Sequence, residues 1–186
     1  ILTMTMVMFT AVAIVRERER GNLELLITTP VRPLELIVGK VLPFVLIGLV
    51  QVSVVLALGM LIFRVPIRGQ LAEVYAVALI YIVAALSLGV LLSTVARTQF
   101  QSMQLAFFTF LPQILLSGFM FPFAGMPVAA QWFAEILPLT HFIRLIRGVM
   151  LRDSGLLALW QDAAALLAFS ALMMGIAVLR FRKRLD

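Results

Sequence analysis

The chain has 186 residues, 63% of them hydrophobic and 13% charged, with a net charge of +6, one histidine and no cysteine. Soluble domains run at about 45–50% apolar and about 25% charged, so an ordinary water-soluble fold is excluded, as are disulfide frameworks and thiolate metal sites. The basic residues stand at the ends of apolar runs rather than along one polar face, which points to a membrane surface and away from nucleic acid.

Ile1–Val15 carries no charge, but a hydrocarbon core of about 30 Å needs about 20 helical residues. Residues 1–15 are therefore expected to be the end of a truncated span. The chain is expected to start partway through it, with no basic leader to mark a cleaved signal. Residues 16–33 form a charged island: Arg16 to Pro30 holds three arginines and three glutamates. Each ionised group in hydrocarbon costs about 2.5–3.5 kcal/mol or more, so the island must stand in water at a membrane face. Gly21-Asn22 breaks the preceding helix, and Asn22 is a plausible N-cap for a short helix over Leu23–Thr28 that Pro30 and Pro33 prevent from continuing. Its face carries Leu23, Leu26 and Ile27, with Glu24 beside them. The competing reading, a helix lying on lipid, would set acidic groups against an anionic leaflet.

Four complete spans are expected, over residues 36–63, 73–96, 102–121 and 157–179. Pro43 falls in the first turns of the first of them, where a missing N–H costs little. Gly39-Lys40 is no phosphate-binding loop, because the upstream glycine is absent and Val41 stands where Ser or Thr is needed. In the second span, Ala85 and Gly89 lie one turn apart for close helix packing. Pro112 interrupts the third. Residues 122–155 are expected to be a re-entrant or interfacial segment, since helix breakers from Ser117 to Pro127 cannot face lipid. Trp132 and Phe133 suit an interfacial aromatic belt, and Arg144 and Arg147 share a face of an amphipathic surface helix over Phe142–Leu151. They are candidate anchors for phosphate headgroups, and the lone His141 reads as an interfacial hydrogen-bonding residue. Residues 180–186 are a tail opened by Arg180-Phe181-Arg182-Lys183-Arg184.

Threading the spans puts ten of the fifteen basic residues on the side of the charged island and the C-terminus, which the positive-inside rule makes cytoplasmic. No Asp, Glu, Lys or Arg falls mid-span, which argues against a proton relay or ion-coupled transport. Candidates for lining a translocation path are Gln51, Ser53, Gln104, Thr109 and Gln113. The alternative for each is an interhelical hydrogen bond worth about 0.6 kcal/mol. Phe107, Phe108, Phe110 and Phe119 could contact a hydrophobic cargo or simply face lipid. A membrane-embedded enzyme would need paired carboxylates, a histidine cluster or a nucleophile with a base, and no catalytic or metal constellation is legible.

Arg16-Glu17-Arg18-Glu19-Arg20-Gly21-Asn22-Leu23-Glu24-Leu25-Leu26, then Thr29-Pro30 and Glu35 with Gly39-Lys40, resembles the cytoplasmic signature of type 2 ABC-transporter permeases. Ser117-Gly118-Phe119 through Pro122 and Met126-Pro127 is similar to that family's outer re-entrant segment. Leu137-Pro138-Leu139-Thr140 with Arg147-Gly148 is similar to the helix after it. Asn22 stands where Thr or Ser is usual, Leu25 where Gln is common, and His141 replaces a frequent aromatic. The resemblance implies an all-α polytopic transmembrane bundle with a cytoplasmic coupling helix, in a bacterial inner membrane. It further implies a dimer with a second permease subunit, surrounding lipids and, in the drug-export branch, a periplasmic adaptor protein. The coupling interface to a separate ABC ATPase subunit would comprise Glu17, Arg18, Glu19, Gly21, Asn22, Leu23, Glu24, Leu26, Ile27 and Pro30. No cofactor would bind the chain itself, since ATP and magnesium are used by the partner. The implied function is export of a hydrophobic or amphipathic, drug-like compound. The alternatives are lipid or polysaccharide cargo, or a channel or structural subunit without ATP coupling.

Overall fold

The computed structural model describes residues 1–20, 33–64, 69–152 and 155–182. Seven α-helices appear among them: α1 (Leu2–Glu19), α2 (Pro33–Leu61), α3 (Leu71–Val95), α4 (Gln99–Leu116), α5 (Val128–Ile136), α6 (Pro138–Arg152) and α7 (Trp160–Arg182). Short 3₁₀ turns at Phe123–Gly125 and Leu156–Leu159 complete the described elements, and no strand occurs among the described residues. The protein is an all-α membrane protein. Among the described residues, three stretches are long and apolar enough to cross a bilayer: Gly39–Leu61, Leu71–Val95 and Trp160–Arg180.

Helix α3 is the axis of the bundle, packed against α1, α2, α6 and α7. Its buried face includes Ala84, Ala85, Ser87 and Gly89, and small side chains let helix backbones approach where lipid supplies no hydrophobic drive. At Gly89 the helix backbones of α1 and α3 come close. A Cβ there would stand 2.8 Å from the Val7 carbonyl oxygen and 3.0 Å from Thr10 Cβ, so the expected Ala85/Gly89 seam receives α1. Gly48 of α2 meets Ile82 in the same way, with a built Cβ 2.9 Å from its Cδ1. The remaining face of α2, including Leu42, Leu46, Val50, Val54 and Leu58, is exposed, as a span bordering lipid should be.

The packing divides into two layers. Met6, Val7, Ile14, Val41, Ile82, Leu86, Val90 and Ala177 form one core cluster. Val74, Val77, Tyr81, Leu145, Val149 and Leu166 form the other. Helices α1, α3 and α7 run towards the first layer, and α2 and α4 run away from it. Beyond that layer lie Arg16, Arg18, Lys40 and Arg97 (the charged end). Beyond the second lie α5 and α6, with Trp132 and Trp160 exposed (the aromatic end).

Two local details depart from the sequence expectations. Helix α2 begins at Pro33, so Pro43 sits about three turns inside it rather than in its first turns. Pro33 itself opens the helix, where a missing N–H is an orphan in any case. Helix α4 covers Gln99–Leu116. Its start is fixed by Thr98, whose hydroxyl accepts from Gln101 N at 3.2 Å, while Gln101 Oε1 accepts from Arg97 N at 2.8 Å. Its end is fixed by Gly118, at φ +79°, a left-handed conformation that glycine adopts without a Cβ penalty.

Candidate coupling joint and apolar cavity

The end of α1 is bolted to its neighbours by three consecutive charged residues. Glu17 forms an ion pair with Lys40 at the start of the apolar stretch of α2. Arg18 Nη1 donates to the carbonyls of Ser93 at 3.0 Å and Ala96 at 3.1 Å. The last carbonyls of a helix have no partner within it, so Arg18 closes the end of α3. Glu19 does the converse at the start of α4. Its carboxylate accepts from Gln99 N at 3.0 Å and Gln99 Nε2 at 2.5 Å, satisfying a first-turn N–H where negative charge suits the helix dipole. Those bonds, the side-chain one foremost, hold the Glu19 carboxyl below the usual carboxylate range. Arg18 and Glu19 thus clamp both sides of the α3–α4 corner.

Of the expected coupling residues, Glu17, Arg18 and Glu19 therefore have partners inside the chain. Gly21, Asn22, Leu23, Glu24, Leu26, Ile27 and Pro30 lie outside the described residues.

Towards the aromatic end, α1, α2, α3, α4 and α6 line an open apolar cavity of about 620 Å³. Its few polar features are specific. The hydroxyls of Thr3 and Tyr81 share a hydrogen bond of 2.5 Å. Gln51 Oε1 accepts from Thr5 Oγ1 at 2.9 Å, and Arg147 stands on the lining with Phe110 and Phe119. Tyr81 is held from behind by stacking on Phe142, with centroids 4.1 Å apart. Of the five path candidates, Gln51 alone lines this cavity. Ser53 bonds to the Tyr75 hydroxyl at 2.8 Å and to the Leu49 carbonyl. Gln104 is exposed, and Thr109 bonds back to the Leu105 carbonyl. Gln113 is buried and donates to the Thr109 carbonyl at 3.3 Å, while its Oε1 has no partner. Phe110 and Phe119 face the cavity, whereas Phe107 and Phe108 are exposed away from it. Thr3 and Tyr81 were not singled out from sequence, although the chain's two tyrosines, Tyr75 and Tyr81, both fall in one apolar run.

A polar latch joins α5, α6 and α7 at the aromatic end. His141 Nδ1 lies 2.7 Å from Asp162 Oδ1, and Nε2 lies 2.9 Å from the Glu135 carbonyl oxygen, in keeping with its expected hydrogen-bonding role. Arg144 grips the Glu135 carboxylate with both Nη atoms, at 2.9 and 2.5 Å, and lies 4.7 Å over the Phe123 ring. Those bonds lower the Glu135 carboxyl below its ordinary range and raise the Arg144 guanidinium. Arg144 is thus committed to protein partners rather than presented to headgroups. Arg147 is exposed and donates to the Gly118 carbonyl at 3.3 Å.

The family model for the ABC-2 type transporter matches residues 1–151. The chain belongs to this family. It is 32% identical over 184 residues to an Escherichia coli protein named probable multidrug ABC transporter permease YbhR, covering 99% of this chain and 50% of YbhR. It is 32% identical over 183 residues to the E. coli inner membrane transport permease YhhJ, covering 98% of this chain and 49% of YhhJ. It is also 30% identical over 177 residues to ABC transporter G family member 20 of Dictyostelium discoideum, covering 94% of this chain and 24% of that protein. The chain spans about half the length of YbhR and YhhJ. As an ABC-2 family member it carries the joint within its matched region, while α7 lies beyond that region.

Proposed function

We propose that this chain is the membrane-embedded part of a permease subunit that exports a hydrophobic or amphipathic compound, driven by ATP hydrolysis in a separate subunit. The observation that carries the reading is the joint: the segment after Glu19 leaves from a helix end that is tied to α2, α3 and α4 at once. A push on residues 21–32 would therefore move these helices together. On this reading Leu23, Leu26 and Ile27 fill an apolar groove on the ATPase, worth about 1.5–3 kcal/mol for each fully buried side chain. Glu24 meets basic groups at its rim and sets register more than affinity. The joint end faces the cytoplasm, as its basic residues favour. The drug-like cargo class is supported by the multidrug wording in the name of YbhR and by the apolar cavity. The permease pairs with a second copy or a homologue.

The test is the full-length permease with its ATPase in nanodiscs. Glu24→Lys and Leu26→Asp are expected to abolish substrate-stimulated ATP hydrolysis while leaving thermal unfolding of the permease unchanged. Wild-type stimulation in both variants would refute the docking role.

A further inference from the structure

The cavity carries more than a general taste for greasy molecules. Its volume of about 620 Å³ lies within the range of about 300–1,000 Å³ found for small-molecule sites, enough for one drug-sized apolar body. Its walls, Val55, Met60, Phe110, Phe119 and Met150 among them, supply apolar contact without direction. Direction has to come from the polar groups. Gln51 uses one end of its amide on Thr5, and whichever way the amide is turned, one polar atom is left for a guest. Thr3 and Tyr81 satisfy each other. Arg147 carries five N–H donors, and one is committed to the Gly118 carbonyl. Glu135, Asp162 and Arg144 are bound up in the latch. Among the described residues, no Asp or Glu lines the cavity. Among the described lining residues, the one charged side chain is thus the cation of Arg147.

We propose that this cavity binds an anionic amphiphile: one apolar body in the chamber, a hydrogen-bonding group on Gln51, and a carboxylate, sulfonate or phosphate held by Arg147. The proposal rests on the permease reading and names the substrate class for it. It assigns Arg147 the selection of charge, and the walls the selection of size.

The test uses two fluorescent probes with the same body, anilinonaphthalene sulfonate and its uncharged parent N-phenylnaphthylamine, titrated into the full-length permease in neutral-lipid nanodiscs. Arg147→Gln is expected to weaken the sulfonate by about tenfold, as for loss of a charge-assisted bond, and to leave the neutral probe within about twofold. Arg147→Lys restores most of the sulfonate affinity. Gly59→Phe, at a lining position where an added Cβ meets nothing within 4 Å, is expected to displace both probes without unfolding the bundle. Equal loss of both probes in Arg147→Gln overturns the charge assignment, and unchanged binding in Gly59→Phe overturns the cavity. Probe binding does not need the ATPase. Intact binding with no ATP-driven transport would therefore sink the permease reading alone, and transport with no binding here would sink this proposal alone.

Discussion

Gly89→Ala tests the packing on which the joint depends. The new methyl would lie 2.8 Å from the Val7 carbonyl oxygen, 3.3 Å from Val7 Cα and 3.0 Å from Thr10 Cβ. The first two are backbone atoms, so no rotamer change relieves the clash. Bringing the oxygen out to an ordinary 3.4 Å contact requires α1 to retreat by about 0.6 Å from α3. Overpacking of this kind costs about 1–3 kcal/mol, against a gain of up to about 1 kcal/mol from replacing a helical glycine. Gly175→Ala is the matched control, because its Cβ meets nothing within 4 Å and only the favourable part applies. The two variants should therefore differ by about 1–3 kcal/mol, read as denaturation midpoints in mixed detergent micelles. Gly89→Val should be worse than Gly89→Ala, since the branched side chain adds two further methyls to the same gap. If Gly89→Ala is as stable as Gly175→Ala, α1 does not lie against α3 as described, and the transmission of force through the joint loses its footing.

Tyr81→Phe removes the bond to Thr3 and should cost about 0.6 kcal/mol, the average for a bond between helices in a membrane, measured by the same unfolding assay. Thr98→Ala removes the cap on α4 and should cost about 1 kcal/mol, with faster amide exchange confined to the first turn of that helix. The Glu135–Arg144 pair sets a pH dependence. Because the folded carboxyl titrates below its ordinary 4.5, its contribution is present in full above that value and is lost as pH falls through the lower, folded one. Unfolding midpoints of wild type and Glu135→Gln should therefore converge on acidification below about pH 4.5 and run parallel at neutral pH.

Composition made the membrane class legible, because the excess of apolar residues leaves no other solvent for the chain. Small-residue spacing made the Ala85/Gly89 seam legible for the same reason: a helix surface with no side chain can only be explained by something close. The start of α2 was harder to read. Pro43 looks like a helix opener when read from the left, but Pro33 offers the same chemistry ten residues earlier, and the helix runs from there. The path candidates were chosen for polarity alone. Thr109 spends its hydroxyl on the turn above it, as hydroxyls in helices commonly do, and sequence carries no sign of that. Glu17, Arg18 and Glu19 were placed in a water-facing island by the cost of charge in hydrocarbon, and in the coupling interface by the family resemblance. The open ends of α3 and α4 supply the competing partners, and those ends come together only in the fold.

That meeting of ends explains why α3 is the element to watch on the proposed reading. Arg18 seizes its last turn at Ser93 and Ala96. Its first turns carry Val74, Ala78 and Tyr81 onto the cavity. A helix of this length, hydrogen-bonded throughout and wrapped by four others, behaves as a rod on the scale of a 0.6 Å clash. A displacement imposed at the joint therefore arrives at the cavity wall instead of being absorbed on the way. Helix α7 follows α3 through apolar packing along its length. The order of movement expected from this wiring is α1 with the α3–α4 corner first, then the cavity wall, with α7 trailing.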